Sequence, residues 1–397
     1  MSRHPLISFS AIIVYGNATL QALLFALVIP TLSLYVAQRF DANAFQVGSF
    51  FVANAVSGII YAQLMGHWSD RSRDRRRLIA LGMSAGALAC IVFAFSSSYW
   101  ISLAAGMTFF SLAFASISQI FAHARDYGDK HFSRKQGVMF NSTVRAFSAL
   151  AWVGGPALGY FILSLSNFKT LYLIVACLYL AGASMAKFFL PHAEKFTPTE
   201  HIELPDNKRT IIIAMIAISI SWSCNQTYLI ALPLFLKNNL LVDSSWAGWI
   251  MGTAAAIEIP VMMFAGWLGT RFPLPPLIRI GALAPMLLYL GVWRSSAVWM
   301  LFPLQIFNAM LIGFVAGLGM TWFQDLMPGR AGVASALYWN TASYGNILGA
   351  IVIAIFAQAF GYRDVYFVNA LLALSATALL FLIRAPRPEN ASSPQSR

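Results

Sequence analysis

Two ionisable side chains stand alone inside long apolar runs: Arg145, about nine residues into a run over 137–165, and Glu258, near the middle of a run over 245–268. A charge at the centre of a membrane helix costs about 2.5–3.5 kcal/mol on insertion scales, so such groups face a cavity or a partner. Arg145 shares a helical stripe with Asn141, Ser148 and Trp152, a polar face suited to a wet cavity. The same face as Glu258 carries Met251, Ala254, Ala255, Met262 and Ala265, small or pliant enough for a neighbouring helix to come close. Two chemistries are open to the pair. Glu258 can take up and release a proton while Arg145 holds the hydroxyls of a solute, or the two can form a static ion pair that fixes packing. Elsewhere in the apolar runs lie Asn17 and Gln21, one turn apart, and Gln119, Asn225, Tyr228, Gln305, Asn308, Tyr338 and Asn340. Amides and phenols present both donors and acceptors, and aromatic faces pack on the apolar face of a sugar ring. With Asn141, Arg145 and Trp152 these are the candidate solute-binding residues. They suit a neutral polyhydroxylated solute better than a lipophilic cation, which needs several acids. For any single amide, an interhelical hydrogen bond is an equal alternative.

Other chemistries find no support. Cys90, Cys177 and Cys224 are odd in number, far apart and set in apolar stretches, which argues against a disulfide framework or a CxxC zinc site. The six His show no HExxH spacing, and no GxxxxGK[ST] phosphate loop occurs. No nucleophile and base stand together. The expectation is therefore a non-enzyme with no metal and no cofactor, whose flux is driven by a gradient or by another subunit.

The elements that position these residues follow from composition. Of 397 residues 59% are hydrophobic and 10% charged, with a mean hydropathy of +0.68, more apolar surface than a soluble domain can bury. A lipid bilayer is the required partner, and a soluble enzyme, a nucleic-acid binder and a disordered chain are excluded. A span needs about 20 apolar residues. The runs divide into twelve, at 9–36, 45–67, 77–96, 99–123, 137–165, 168–190, 210–236, 245–268, 277–293, 298–322, 331–358 and 364–384. The first is too long for a removable signal peptide and reads as a retained helix.

The net charge of +12 is a topology signal rather than a nucleic-acid footprint: twenty of the 26 Lys and Arg fall on one set of alternating loops and five on the other. Both termini are predicted cytoplasmic. Tyr99, Trp100, Trp246, Trp293 and Trp299 then fall at outer span ends, where amphipathic rings favour the headgroups. The one sizeable polar linker divides the chain into a six-helix half over 1–190, a cytoplasmic linker over 191–209, and a second half with a short tail over 210–397. An offset of 200 brings Gly48 onto Gly248, Gly66 onto Gly266 and Arg71 onto Arg271; an offset of 195 brings Gly137 onto Gly332 and Gly154 onto Gly349. Two like-oriented halves around a central site are the plan of a rocking secondary transporter.

The loop between spans two and three runs from Gly66 through Asp70, Arg71, Arg75 and Arg76 to Arg77, and it resembles the G-x-x-x-D-R-x-G-x-R-R signature of the major facilitator superfamily, with Arg73 where Gly is usual. A gating role is available to it. Asp70 can meet the positive N-terminus of span eleven, just after Pro328-Gly329-Arg330, and so favour an outward-facing state; the alternative is a basic loop that only fixes topology. In the second half Thr270 stands where the Asp would be. Gly154-Gly155-Pro156-Ala157-Leu158-Gly159 resembles the G-P-x-x-G element of proton-coupled exporters, though Gly and Pro also serve packing and bending in membrane helices.

Within that superfamily, Pro30–Leu34, Phe121–Tyr127, Met251–Pro260 and Trp322–Gly332 are similar to the bacterial sugar efflux transporter family. The resemblance touches both halves. It implies an all-α polytopic protein of twelve transmembrane helices in two six-helix halves, a proton-coupled sugar exporter of the bacterial cytoplasmic (inner) membrane, working as a monomer. Arg145 and Glu258 fall where that family also has Arg and Glu. One departure is Ala231, two residues before Pro233, where family members carry an Asp. The expected function is export of sugars or sugar-like solutes in exchange for protons by alternating access. The alternatives are a multidrug or metabolite:proton antiporter of the same fold and, in another class, a receptor without flux.

Overall fold

The computed structural model describes residues 8–71, 74–192, 208–327 and 330–383. Every element among them is helical, because in hydrocarbon each backbone N–H and C=O must be satisfied within its own segment. The first six spans are α1 (Phe9–Arg39), α2 (Ala44–Arg71), α3 (Arg75–Phe95), α4 (Tyr99–His131), α5 (Arg134–Leu165) and α6 (Phe168–Phe188). The next four are α7 (Lys208–Asn238), α8 (Trp246–Gly269), α9 (Leu274–Arg294) and α10 (Val298–Leu326). The expected linker over 191–209 lies largely outside the described residues.

The last apolar helical stretch, Val333–Phe381, counts 49 residues, about 73 Å at 1.5 Å per residue and too long for a core of about 30 Å. It folds back on itself. Gly361 sits at φ +85°, a conformation that only glycine adopts without strain, and divides the stretch into α11 (Ala331–Val352 and the π turn Ile353–Ala357) and α12 (within Gln358–Phe381). α12 then lies along α9 for its whole length. Arg363 donates to Trp293 O and Ser295 O at one end, and Arg279 to Leu380 O and Ile383 O at the other. The twelve expected crossings are all present.

Local chemistry sets the helix starts. Ser8 accepts from Ala11 N, Asp74 from Arg76 N and Asn167 from Thr170 N, each satisfying a donor that the first turn leaves free. Both α4 and α10, equivalent helices of the two halves, contain a π turn, Gly106–Phe110 and Leu311–Ala316. Several helices outrun their apolar stretches. α4 continues eight residues past 123 and carries Arg125, Asp126 and Asp129 on its last turns, because a charge ends an apolar run without ending a helix.

Helices α1–α6 and α7–α12 form two groups. In the first, α1 packs on α5 and α3 on α6; in the second, α7 packs on α11 and α9 on α12. The groups meet through α2 with α11, α5 with α8, and α1 with α7. These meetings concentrate at one end of the bundle, opposite the 71–75 and 131–134 loops. A Cβ on Gly48 would collide with the backbone of Ala354, and Phe45 N donates to Gln358 Oε1 at 3.1 Å. A Cβ on Gly248 would lie 2.9 Å from Ala157 Cα, and one on Gly252 3.0 Å from Val153 O. The end with these contacts is called the sealed end below, and the other, which carries most of the Lys and Arg, the basic end.

Candidate functional site

The α5–α8 crossing positions the two buried-span charges. Arg145 lies eight residues below Val153 and Glu258 six residues beyond Gly252, which places them about 12 and 9 Å from the crossing, both toward the basic end. They stand at similar depth on helices that part from each other. Arg145 is exposed and Glu258 half-buried. The ion pair offered by the sequence is not formed here: among the described residues the ion pairs are Arg75–Asp126, Arg76–Asp74, Arg125–Asp129 and, where the His is charged, His192–Asp74. The close glycine contacts between α5 and α8 lie on the sealed-end side of both charges, and Arg145 itself is exposed.

A cavity of about 570 Å³ opens at the basic end between α4 and α5, within the size range of small-molecule sites. Asn141 and Arg145 line it from α5. Trp152, two turns further on, is half-buried against the apolar core, and Ser148 turns its hydroxyl back to Val144 O.

The other expected solute ligands separate into three groups. Asn17, Gln21 and Gln119 are engaged inside the first six helices. Asn17 Nδ2 donates to Gly182 O at 3.1 Å, joining α1 to α6, and Gln21 Nε2 donates to Ser116 Oγ at 2.6 Å, joining α1 to α4. Both are buried, so in this conformation they hold helices together rather than face the cavity. Gln119 Oε1 accepts from Arg75 Nη1 at 3.1 Å. Tyr228, Gln305 and Tyr338 are engaged inside the second six: Tyr228 OH donates to Gln305 Oε1 at 3.1 Å, Gln305 Nε2 to Leu301 O, and Tyr338 OH to Val315 O. Asn225 is half-buried and Asn340 exposed, while the buried Asn308 Oδ1 finds no donor.

At the basic end, Arg75 is the centre of a network that sequence reasoning missed. Its Nε donates to Asp126 Oδ2 at 2.8 Å and its Nη1 to Ser69 Oγ and Gln119 Oε1, so the guanidinium ties α2, α3 and α4 together. The signal was the scarcity of acids. With 14 acids against 26 bases, an Asp retained among Arg125, Lys130 and Arg134 calls for a specific partner. Arg76 binds Asp74 through both carboxylate oxygens and reaches Leu190 O past the end of α6. Arg76 holds the Asp74 carboxyl below its usual range despite partial burial. Gly66 has open space around it. The side chains of Asp70 and Arg71, and residues Pro328 and Gly329, lie outside the described residues, and the expected Asp70 clamp lies there with them.

Comparison with known proteins adds identity to this geometry. The chain matches the Major Facilitator Superfamily over residues 14–338 and again over 211–397. It is 34% identical over 385 residues to sugar efflux transporter A of Dickeya chrysanthemi, covering 96% of this chain and 97% of that one. With sugar efflux transporter B of Salmonella typhimurium it shares 38% over 344 residues, 86% of this chain and 87% of the other. The chain belongs to the sugar efflux transporters of the major facilitator superfamily. It is thus a multi-pass membrane transporter and not an enzyme. Among solved structures, the nucleoside transporter NupG superposes with a TM-score of 0.78 at 14% identity, covering 94% of this chain and 98% of that one. A bacterial homologue of the human lysosomal transporter Spinster, inward-facing and occupied, gives 0.78 at 14% identity, covering 96% and 97%. At that identity the likeness is one of fold, and it matches the two six-helix groups described above.

Proposed function

We propose that this transporter exports a sugar or sugar-like solute across the bacterial inner membrane in exchange for protons, by alternating access of a site between the two six-helix halves. The observation that carries the reading is the placement of Arg145 and Glu258: an unpaired cation and an acid at similar depth on two packed helices that belong to different halves. The excess of Lys and Arg on that end supports a cytoplasmic placement for it and for both termini, and on that reading the conformation described is the one open to the cell interior. Rocking about the sealed end would bring α5 and α8 together along their whole length and the two charges into reach of each other. Glu258 then alternates between a proton and Arg145, while Arg145 alternates between solute oxygens and Glu258. A gradient can drive solute movement through that competition with no cofactor.

The experiment is flux of labelled glucose, lactose and a lipophilic cation in proteoliposomes with an imposed pH gradient, wild type beside Glu258→Gln. Sugar movement that follows the gradient in wild type and loses that dependence in the variant is the expected result. Gradient-driven exchange that survives Glu258→Gln removes Glu258 from the coupling step. Movement of the cation in place of sugar moves the chain to the multidrug alternative.

A further inference from the structure

The cavity at the basic end has a composition that a neutral sugar does not require. Two stripes face each other across it: Phe121, Arg125 and Asp129 from α4, at four-residue spacing, and Gly137, Asn141 and Arg145 from α5, also at four-residue spacing. The α5 stripe rises about 12 Å from Gly137 to Arg145. Gly137 and Gly128 bring the two helices into ordinary contact at the bottom: a Cβ on Gly137 would lie 3.7 Å from Gly128 O. Among the described residues the walls therefore hold two guanidinium groups and one carboxylate. Arg125 meets Asp129 only loosely, at 3.8 Å, with both side chains at least half exposed. Among the described residues Arg145 has no ion pair or hydrogen bond at all. The opening of the cavity is also where α5 begins, at Ser133, with the positive end of a 32-residue helix beside it.

We propose that this cavity is the entry subsite for the transported solute and that it selects polyhydroxylated solutes bearing one anionic group, a carboxylate or a phosphate. The inference rests on the export reading and sharpens its substrate class from sugars at large to acidic sugars. Arg145, and Arg125 once it leaves Asp129, bind the anionic group; planar guanidinium groups match the geometry of carboxylate and phosphate oxygens. Asn141 supplies an amide to the hydroxyls, and Phe121 an aromatic edge to the ring. Asp129 opposes the anion and, by holding Arg125, keeps the subsite from trapping it. An anionic lipid headgroup presents the same phosphate chemistry, and the test separates the two sources.

The test is binding of gluconate and of methyl glucoside to the purified full-length transporter in nanodiscs of neutral lipid, followed by calorimetry at low and high salt. Gluconate is expected to bind at least about tenfold more tightly than methyl glucoside, a preference that salt erodes. Arg125→Gln should lower that preference about tenfold, and Arg125→Lys should retain part of it. Asp129→Asn should raise gluconate affinity severalfold, a gain that a folding defect cannot mimic. Equal affinities for the two probes, or a preference untouched by Arg125→Gln and Asp129→Asn, overturn the proposal. So does a result in which only phosphatidylglycerol, added to the nanodiscs, shifts thermal stability in an Arg125-dependent way while gluconate does not bind. The proposal fails alone if gradient-driven flux of glucose persists under these outcomes, whereas absence of any sugar flux would remove the export reading on which it rests.

Discussion

Asp126 and Asp325 occupy the same place in the two halves, each 27 residues into its helix, on α4 from Tyr99 and on α10 from Val298. Their surroundings differ. Asp126 is buried and holds Arg75, which reaches on to Ser69 and Gln119. Asp325 is exposed and makes no ion pair among the described residues. At the basic end of α8 stand Thr270 and Arg271, and the Arg271 guanidinium lies over the Trp267 ring, 4.2 Å from its centroid. The glycine contacts behave in the opposite way: Gly48 against α11 and Gly248 against α5 repeat each other across the halves. The duplicated fold retains its apolar contacts at the sealed end in both copies and its ionic latch at the basic end in one. Apolar packing is indifferent to which half supplies the small residue, whereas a buried charge is tolerated only where its partner is also present.

The largest effect expected from this asymmetry is on stability. Arg75→Gln leaves Asp126 buried without its cation and should cost on the order of 3 kcal/mol, read as a lowered melting temperature in nanodiscs. Asp325→Asn, which removes the acid of the unlatched half, should leave the melting temperature within experimental scatter; an equal loss from the two would mean that the halves are latched alike. Next comes the sealed end. Gly48→Val forces α2 from the Ala354 backbone at an overpacking cost of about 1–3 kcal/mol, and flux should fall at least about tenfold. Gly266→Ala, in open space on the matching helix, should leave both flux and stability intact. Full flux in Gly48→Val would remove the α2–α11 contact from the transport cycle.

The smallest effect belongs to Asp74. Its carboxyl titrates below the unfolded value of about 3.9 because Arg76 binds the charged form. The pair therefore stabilises the fold at neutral pH, and that contribution fades as pH falls through 3.9 and below. Because the Asp74–Arg76 pair lies at the surface and is screened by solvent, the contribution is about a fraction of a kcal/mol. Thermal melts of wild type and Asp74→Asn should differ slightly at pH 6, and the difference should shrink as the pH is taken progressively below 3.9. A difference that grows toward acid would reverse the sign assigned to this pair.

Which parts of the molecule could be read from sequence follows from what the bilayer enforces. Hydrocarbon requires long apolar helices, so span number, the break near 361 and the division into halves were legible in composition and turn residues. Helix ends were less so, because α4 carries Arg125, Asp126 and Asp129 beyond the apolar run while still hydrogen-bonded as a helix. The polar residues of the interior were the hardest to assign. Asn17 and a cavity-lining Asn141 look alike in a string of letters. Only the packing of α1 against α6 shows that Asn17 donates to Gly182 O, while Asn141 lines open space. Arg145 and Glu258 were singled out because an isolated charge in lipid is costly wherever it points. Their separation is set by how α5 and α8 pack, which spacing along the chain does not display.

Gly361 has a further bearing on how the molecule can move. It joins α11 to α12 within a continuous helical assignment, one residue of unusual backbone standing where the other connections leave two or more residues outside the helices. Such a joint has no slack. Whatever displaces the sealed-end tip of α11, where Ala354 faces Gly48, is delivered at once to α12, and through the Arg363 and Arg279 anchors to α9. The outer wall of the second half is thus geared to the sealed end, and a spacer inserted at Gly361 would uncouple them without touching Asn141, Arg145 or Glu258.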